Sequence, residues 1–184
     1  MAEVEFRQAL GHFATGVAIV TTIADEGPVG LTVNSFNSVS LDPPLVLWSL
    51  SKSSSSVQAF SESGYFAVHI LASDQREVSR IFAQRGADKY AGIPLETGIN
   101  GTPLLPGCSA RFECKTHAQY EGGDHLILVG EVVKYETSEK PPLLFHKGVM
   151  HSGDDVLSGI DALAAGKSRS GQQKTDADAR GNDV

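Results

Sequence analysis

The sequence predicts a mainly β protein whose strands form a closed or nearly closed barrel with a few short flanking helices. Segments rich in β-branched and aromatic residues recur at short intervals and are separated by turns that contain Gly, Pro, Asp or Asn. Only a few segments place apolar residues at helical spacing. Short strands joined by turns are typical of small β-barrels.

Helices are predicted where apolar residues repeat at helical spacing behind a polar N-cap. They are expected over residues 5–15, from Ser55 or Ser56 to Glu62, and from Ser73 or Asp74 onward. In the first, Phe6, Leu10 and Phe13 share one face. Gly16 and Gly64 stand where the first two helices are expected to end.

Strands are predicted from β-branched or alternating apolar runs. They cover residues 16–23, 29–34, 45–50, 65–71, 108–120, 125–137 and 143–150. Pro43 and Pro44 exclude helix and central strand alike, so the third strand is expected to begin only at Leu45. The two longest strands flank the turn Glu121-Gly122-Gly123-Asp124, whereas residues 85–106 are rich in Gly and Pro and predict a loop.

The 184 residues are expected to form one domain over residues 1–153, followed by a C-terminal extension over residues 154–184. From Lys167 onward the extension has no aromatic and almost no apolar residues. It cannot bury enough surface to offset the entropy of ordering, so we expect disorder from about residue 167.

Charge and hydropathy argue against several classes of partner. The formal net charge is −7, whereas nucleic-acid binding requires a basic face. The apolar runs are far shorter than the ~20 residues that cross a bilayer. The N-terminus is acidic and lacks the apolar core of a signal peptide. We therefore expect a cytoplasmic protein that binds neither nucleic acid nor membrane.

Neither a metal site nor a disulfide is expected. The two cysteines, Cys108 and Cys114, lie close together on one predicted strand, and no CxxC or paired Cys/His set occurs. The motifs GxGxxG, GxxxxGK[ST], HExxH and GxSxG are also absent. Any nucleotide must therefore be bound without these devices.

A cluster of serines separates the third predicted strand from the second helix. The cluster consists of Ser49, Ser51, Ser53, Ser54, Ser55 and Ser56, with Lys52 among them. Hydroxyls, helix-start amides and the lysine charge together suit a phosphate. A polar loop with a redundant N-cap has the same composition, so the residues alone leave both interpretations open.

Two further segments admit both a structural and a functional interpretation. Thr32-Val33-Asn34-Ser35-Phe36 places small polar residues at a strand end, which suits a planar ligand against the backbone or an ordinary Asx turn. In Gly122-Gly123-Asp124-His125 the glycines permit a tight turn, and His125 begins the next strand. The remaining histidines show no metal spacing or nucleophile partner, so structural or surface roles are expected for them.

Together these segments resemble the flavin reductase domain family, small FMN-binding split barrels that supply reduced flavin to two-component monooxygenases. The resemblance covers roughly residues 6–148. It rests on the segments FRQALGHFATGVAIVTT, GLTVNSFNSVSLDPPLVLWSLSKSSSS, GYFAVHIL, RIFAQRGADKYAG, GDHLILVGEV and PLLFHKG, in the family's order and spacing. It favours the functional interpretation of all three segments.

The resemblance implies a flavin site. The matching positions are Thr32, Val33, Asn34, Ser35 and Ser40 beside the isoalloxazine ring, then Ser49, Leu50, Ser51, Lys52, Ser54, Ser55 and Ser56 around the ribityl chain and phosphate, with Phe82 and Lys89 nearby. Ser54 and Ser56 match the family's phosphate positions. Many relatives have arginine where this chain has Ser55, which leaves the phosphate charge to Lys52 and to helix-start amides.

The resemblance also implies a nicotinamide site. His125 matches the histidine of the family's GDH motif, here Gly123-Asp124-His125, and is the expected catalytic residue. Lys147 and Gly148 match the strand end that completes this pocket. His146 stands where relatives have an aromatic residue, so the ring stacking expected there is changed.

The activity implied is that of an NAD(P)H:flavin oxidoreductase, in which hydride passes from NADH or NADPH to FMN or FAD. The protein would hold the two rings face to face at near-attack distance. The partners implied are a second copy of the chain in a homodimer and a separate flavin-dependent monooxygenase. A flavin carrier without nicotinamide chemistry is the alternative. A split-barrel oxidase of another substrate is less favoured, because it would need more basic residues.

Overall fold

The computed structural model describes residues 3–86, 88–155 and 158, and strands dominate it. The helices are α1 (Glu3–Leu10), α2 (Val57–Glu62) and α3 (Arg76–Ala83). The strands are β1 (Thr15–Gly16), β2 (Ala18–Ala24), β3 (Gly27–Val33), β4 (Asn37–Leu41), β5 (Pro44–Ser51), β6 (Tyr65–Ile70), β7 (Glu96–Thr97), β8 (Pro103–Leu104), β9 (Ala110–Gly122), β10 (His125–Thr137), β11 (Leu143–His146) and β12 (Val149–Ser152). A mainly β fold with short flanking helices is therefore confirmed.

One seven-stranded antiparallel sheet, in the order β3-β2-β6-β9-β10-β5-β4, forms the barrel. The strands β3 and β4 are its edges, and the segment between them joins the two ends of the sheet. There Ser35 Oγ accepts a hydrogen bond from Ser49 N at 2.9 Å and donates to Ser49 O at 3.2 Å. Because Ser49 lies on β5, these bonds hold the end of β3 against the far side of the curled sheet.

Aromatic side chains fill the barrel interior. Trp48 is fully buried and meets Phe60 and Phe66 edge-on, with ring centroids 4.9 and 5.9 Å apart. Burial alternates along β5, as expected for a strand with one face toward a core. Edge-to-face pairs of this kind add about 1 kcal/mol beyond the area they bury. The core thus fixes β5 and the serine cluster that follows it.

A smaller apolar cluster lies outside the barrel, between α3 and a three-stranded sheet in the order β1-β11-β12. Backbone hydrogen bonds tie three segments together there: Leu71 N donates to Val17 O at 3.0 Å, Val17 N to Leu143 O at 3.1 Å, and Leu143 N to Leu71 O at 2.8 Å. Phe82 brings α3 into the same cluster. This cluster therefore packs α3 directly against the β11–β12 hairpin, where Arg76 Nη2 donates to Met150 O at 2.9 Å.

His69 has the structural role expected of the histidines outside the GDH motif. It is fully buried on β6. Its Nδ1 lies 3.1 Å from Ile19 O, and its Nε2 accepts from Leu105 N at 3.1 Å. Since a carbonyl can only accept, Nδ1 carries the proton and the ring is neutral. Burial lowers the pKa of His69 to about 4.

Several features differ from the sequence prediction, and the first of them is the length of α1. The first helix ends at Leu10 rather than before Gly16, because the chain then turns toward the β11–β12 hairpin, where Gly11 O accepts from Lys147 N at 3.0 Å. Phe13 is 77 % exposed, so it does not extend the predicted helical face.

The strand β4 was not predicted, because its sequence NSVSL is polar and two prolines follow. It is an edge strand, where exposed polar residues are tolerated, and Pro44 begins its partner β5. The predicted single strand over residues 143–150 is instead a hairpin, since Lys147 and Gly148 both have positive φ, 49° and 81°.

Two remaining predictions concern the cysteines and the tail. Cys108 lies before β9 rather than on it, and Cys114 lies within β9; both thiols are buried and free. Burial raises the pKa of Cys108 to about 11 and of Cys114 to about 12. The disorder predicted from about residue 167 falls outside the described residues and stays a prediction.

Candidate active site

A groove follows the open edge of β3. It consists of three adjoining cavities of about 600, 220 and 970 Å³, here called the serine cleft, the middle pocket and the helix pocket. Thr32 lines the first two cavities, and Asn34 and Phe145 line the last two. From Pro28 to Asn34 the strand runs about 20 Å at ~3.3 Å per residue, so the groove is long enough for an extended ligand.

The serine cleft lies between β3, the loop after β5 and the segment after α3. Its lining comprises Pro28–Thr32, Ser51, Ser53–Ser56, residues 82–86 and residues 88–90. Ser51 Oγ and Ser53 Oγ are 2.9 Å apart, and Ser54 Oγ accepts from Ser56 N at 3.2 Å. Ser56 is the N-cap of α2 but makes no side-chain cap bond. The hydroxyls therefore line a polar wall as well as ordering the loop.

The wall of the cleft opposite the serines is built on Gly30. Lys89 Nζ donates to Gly30 O at 2.9 Å and to Phe82 O at 3.0 Å, and burial lowers the pKa of this lysine. Tyr90 packs edge-on against Phe82 at 5.0 Å between ring centroids. Its hydroxyl is buried without a hydrogen-bond partner in the described part of the chain, and burial raises its pKa. Lys89 thus fastens the end of α3 to the strand edge.

Small polar side chains line the middle of the groove. Thr32 Oγ1 donates to Ser79 O at 2.6 Å, which leaves its lone pairs available. Asn34 is exposed, whereas the side chain of Val33 is buried in the barrel core. Any ligand contact of Val33 must therefore come from its backbone. Half-buried Met150 and Phe145 line the same pocket and supply its apolar contacts.

The β9–β10 turn, Gly123-Asp124, lies beside the serine loop. Gly123 has a φ of 74°, which favours glycine, and His125 begins β10 opposite Ser51. Lys52 N donates to Asp124 O at 3.0 Å. His125 Nδ1 and Asp124 Oδ1 are 2.8 Å apart, and this hydrogen bond lowers the pKa of Asp124. Because the carboxylate accepts, Nδ1 carries the proton, and Nε2 is left available to a ligand.

The helix pocket closes the other end of the groove. It is lined mainly by α1 and the residues after it, together with Asn34, Phe145 and the turn Lys147-Gly148. The positive φ at Lys147 and Gly148 forms a tight hairpin turn, and Lys147 N donates to Gly11 O. Arg7 on α1 also contributes, as a minor cause, to the lowered pKa of Asp124. Basic and apolar groups thus share this pocket.

The structure brings together most residues singled out from sequence. Thr32, Ser51, Ser54, Ser55, Ser56, Phe82 and Lys89 line the serine cleft; Val33 and Asn34 line the middle pocket; Lys147 and Gly148 line the helix pocket. Ser35, Ser49, Lys52, Gly123, Asp124 and His125 adjoin the groove without lining these cavities. Their roles in ligand binding stay predictions.

Two predicted residues lie apart from the groove walls. The side chain of Leu50 is fully buried in the barrel core, so only its backbone is available to a ligand. Ser40 lies on the edge strand β4, where its Oγ accepts from Asp42 N at 3.2 Å. Residues that sequence reasoning missed are Gly30, Arg85, Asp88, Tyr90 and Phe145. They lie within segments that carry the family resemblance, but nothing local in the sequence shows that they share a cavity, because β3 and the segment after α3 meet only in the folded chain.

The groove fits a flavin nucleotide. The serine cleft has the size usual for small-molecule sites and is lined by hydroxyls and cations, which suit a ribityl chain and phosphate. The unpartnered Tyr90 hydroxyl and the open strand edge add polar groups, and half-buried Phe145 adds an apolar ring surface.

The comparisons with known proteins agree with this geometry. The chain is 50% identical over 143 residues to FMN reductase (NADH) SmoA of Agrobacterium fabrum, which covers 78% of this chain and 82% of that protein. It is 43% identical over 144 residues to the flavin-dependent monooxygenase reductase subunit HsaB of Rhodococcus jostii, covering 78% of this chain and 74% of that protein.

Solved structures show the same fold. The Streptomyces globisporus NADH:FAD oxidoreductase SgcE6, in complex with NAD and FAD fragments, superposes with a TM-score of 0.77 at 38% identity, covering 80% of this chain and 90% of that chain. Component B of nitrilotriacetate monooxygenase from Mycobacterium thermoresistibile gives a TM-score of 0.78 at 40% identity, covering 82% and 86%. The model of the flavin reductase like domain matches residues 10–154. The chain therefore belongs to the flavin reductase family.

Proposed function

We propose that this protein is an NAD(P)H:flavin oxidoreductase that reduces FMN or FAD and supplies the reduced flavin to a separate flavin-dependent monooxygenase. The observation that carries the proposal is the continuous groove along β3, with a phosphate-suited cleft at one end and a mixed basic and apolar pocket at the other. Family membership and relatives named as NADH-dependent flavin reductases support it. In enzyme classification this is an oxidoreductase of the EC 1.5.1 type.

Different parts of the groove bind different parts of the flavin. Ser51, Ser54 and Ser56 hold the phosphate and ribityl hydroxyls, while the outward backbone groups of β3 and the side chain of Asn34 contact the ring. When bound, the flavin accepts the hydride and the nicotinamide supplies it. The chain itself orients the two rings, and amide donors near the pyrimidine end would stabilise the added negative charge.

His125 has a defined part in this arrangement. Asp124 fixes the imidazole in the Nδ1-protonated form, so Nε2 can accept a hydrogen bond from the carboxamide of the nicotinamide. The side chain is half-exposed at the turn, where an incoming dinucleotide can reach it. His125 therefore binds and orients the hydride donor.

Replacing His125 by alanine is expected to raise the apparent KM for NADH about tenfold, the effect of losing one hydrogen bond of about 1.4 kcal/mol. Flavin affinity should be unchanged, because the serine cleft is untouched. The matched control is His117→Ala, since His117 is an exposed histidine on the same hairpin and lies away from the groove. Unchanged kinetics in His125→Ala would remove the role assigned to this residue.

The direct test of function is NADH and NADPH oxidation, followed by near-ultraviolet absorbance, with and without FMN or FAD. Flavin-dependent turnover is the expected result, and comparing the four combinations identifies the preferred pair. Flavin binding without turnover would support the alternative, a flavin carrier. Absence of any flavin binding would overturn both assignments.

We further propose a cytoplasmic homodimer. Large apolar side chains are exposed on the long β9–β10 hairpin, where Tyr120 is 58 % and Tyr135 is 68 % accessible. Burying them against a second copy would remove them from water. The free buried cysteines fit a reducing compartment. Within the described residues, no helix has the length and apolar character needed to span a membrane. Light scattering after gel filtration would test the dimer, and a monomeric mass would exclude it.

A further inference from the structure

The serine cleft contains charged side chains to which neither the family motifs nor the comparisons assign a role. Arg85 and Asp88 both line it, on the segment that leaves α3. Gly86, with a φ of 69°, bends the chain between them, so the residues before and after the bend face one cavity. This bend places a guanidinium and a carboxylate on the rim opposite the serine loop.

The other nearby cations are already engaged. The Lys89 ammonium donates to the carbonyls of Gly30 and Phe82, which uses two of its three N–H groups to hold the structure together. The Lys52 ammonium pairs with Glu121 and is not among the residues that line the cleft. The expectation from sequence that Lys52 supplies the phosphate charge stays a prediction, and its side chain is outside the cleft lining.

Arg85 differs from both lysines. Its side chain is exposed on the rim of the cleft, and it forms no ion pair with any residue in the described ranges 3–86, 88–155 and 158. A guanidinium stays charged at all relevant pH values and offers a planar pair of donors that matches a phosphate. The serine hydroxyls across the cleft can add neutral hydrogen bonds, but they carry no charge.

We propose that Arg85 binds the flavin phosphate and makes the cleft selective for FMN and FAD over riboflavin. The proposal rests on the proposed function, since it names a determinant of flavin choice in the same site. It locates the cationic phosphate ligand after α3, on the opposite wall from Ser55. Asp88 opposes it, because a carboxylate on the same rim repels the phosphate.

The test compares the Kd values of FMN and riboflavin, which differ only by the phosphate, by flavin fluorescence titration at fixed ionic strength. Arg85→Gln is expected to weaken FMN binding 10- to 100-fold, the range for a hydrogen bond to a charged group, with riboflavin within about twofold of wild type. The FMN Kd of Arg85→Lys should lie between those of the wild type and Arg85→Gln, because lysine keeps the positive charge but lacks the planar pair of donors. Asp88→Asn should tighten FMN binding about two- to fivefold and leave riboflavin unchanged.

The control is Arg80→Gln. Arg80 is an exposed arginine on α3 that pairs with Glu77 and does not line the cleft, so its loss should change neither Kd. Equal weakening of both flavins in Arg85→Gln would show a structural role and overturn the proposal. An unchanged FMN Kd in Arg85→Gln would also overturn the proposal, as would wild-type protein that binds FMN and riboflavin with equal affinity. Wild-type protein that binds neither flavin would overturn the proposed function itself.

Discussion

Replacing Gly30 by valine is expected to lower the free energy of unfolding by about 3 kcal/mol and to weaken flavin binding at least about tenfold. The cause is steric. A Cβ at this position would lie 2.6 Å from Tyr90 Oη and 2.7 Å from Phe82 Cε1, closer than real side chains approach. To make room, the segment carrying Phe82 and Tyr90 must move away from β3. That movement would break the Lys89 bond to Gly30 O and deform the serine cleft.

The matched control is Gly16→Val, because a Cβ at Gly16 would meet nothing within 4 Å. Its stability should change by no more than about 0.5 kcal/mol. Urea unfolding and FMN titration provide the measurements. The second variant Tyr90→Phe removes both the nearest atom and an unpartnered buried hydroxyl, so combining it with Gly30→Val should recover part of the lost stability. Wild-type stability and affinity in Gly30→Val would contradict the packing described here.

The protein should also lose about 2 kcal/mol of stability between pH 7 and pH 4.5 through His69 alone. Burial is the main cause of its low pKa, about 4 in the folded state against 6.5 for the ordinary side chain; Arg111 lowers it further, and the bond to Ile19 O opposes both. Protonation would place a second N–H against the Leu105 amide, which already donates to Nε2. The unfolded chain therefore binds more protons between these two pKa values. The stability from this residue is complete above pH 6.5 and is lost as pH falls toward 4.

Urea unfolding at several pH values tests this prediction. The variant His69→Gln keeps a donor and an acceptor but does not titrate. Between pH 7 and pH 4.5 its free energy of unfolding should therefore fall by about 2 kcal/mol less than that of the wild type. The exposed His117→Gln serves as the control and should follow the wild type. If His69→Gln and the wild type lose equal stability on acidification, His69 is not the buried neutral ring that links Ile19 O to Leu105 N.

The order and type of most elements could be predicted because their signals are local. Gly64 after α2 and the glycine turn before His125 each specify a boundary within a few residues. The edge strand β4 was missed for the opposite reason: its polar residues are stable as a strand only because β5 pairs with them. The turn at Lys147 was missed because a lysine rarely adopts positive φ, and here the bond to Gly11 O helps to hold it.

The site was predictable to a similar extent. The serine cluster lies on one segment and could be read from the sequence, and Ser51 and Ser53–Ser56 do line the serine cleft. Arg85 and Gly30 could not be assigned to a common site from the sequence. They are 55 positions apart and share the cleft only after β3 and α3 have packed. Leu50 illustrates a further limit: a residue inside a binding segment can still direct its side chain into the core.

The open edge of β3 has a consequence for solubility. Unpaired backbone groups on an edge strand invite a strand of another molecule to pair with them, which is a route to aggregation. Successive residues alternate in direction, so Pro28, Gly30 and Thr32 present their backbone groups to the same side. Pro28 has no N–H to offer, and Lys89 occupies the oxygen of Gly30. Pro28 and Lys89 line the ligand groove and also oppose strand pairing between molecules. The groove can therefore remain open to a ligand without promoting aggregation.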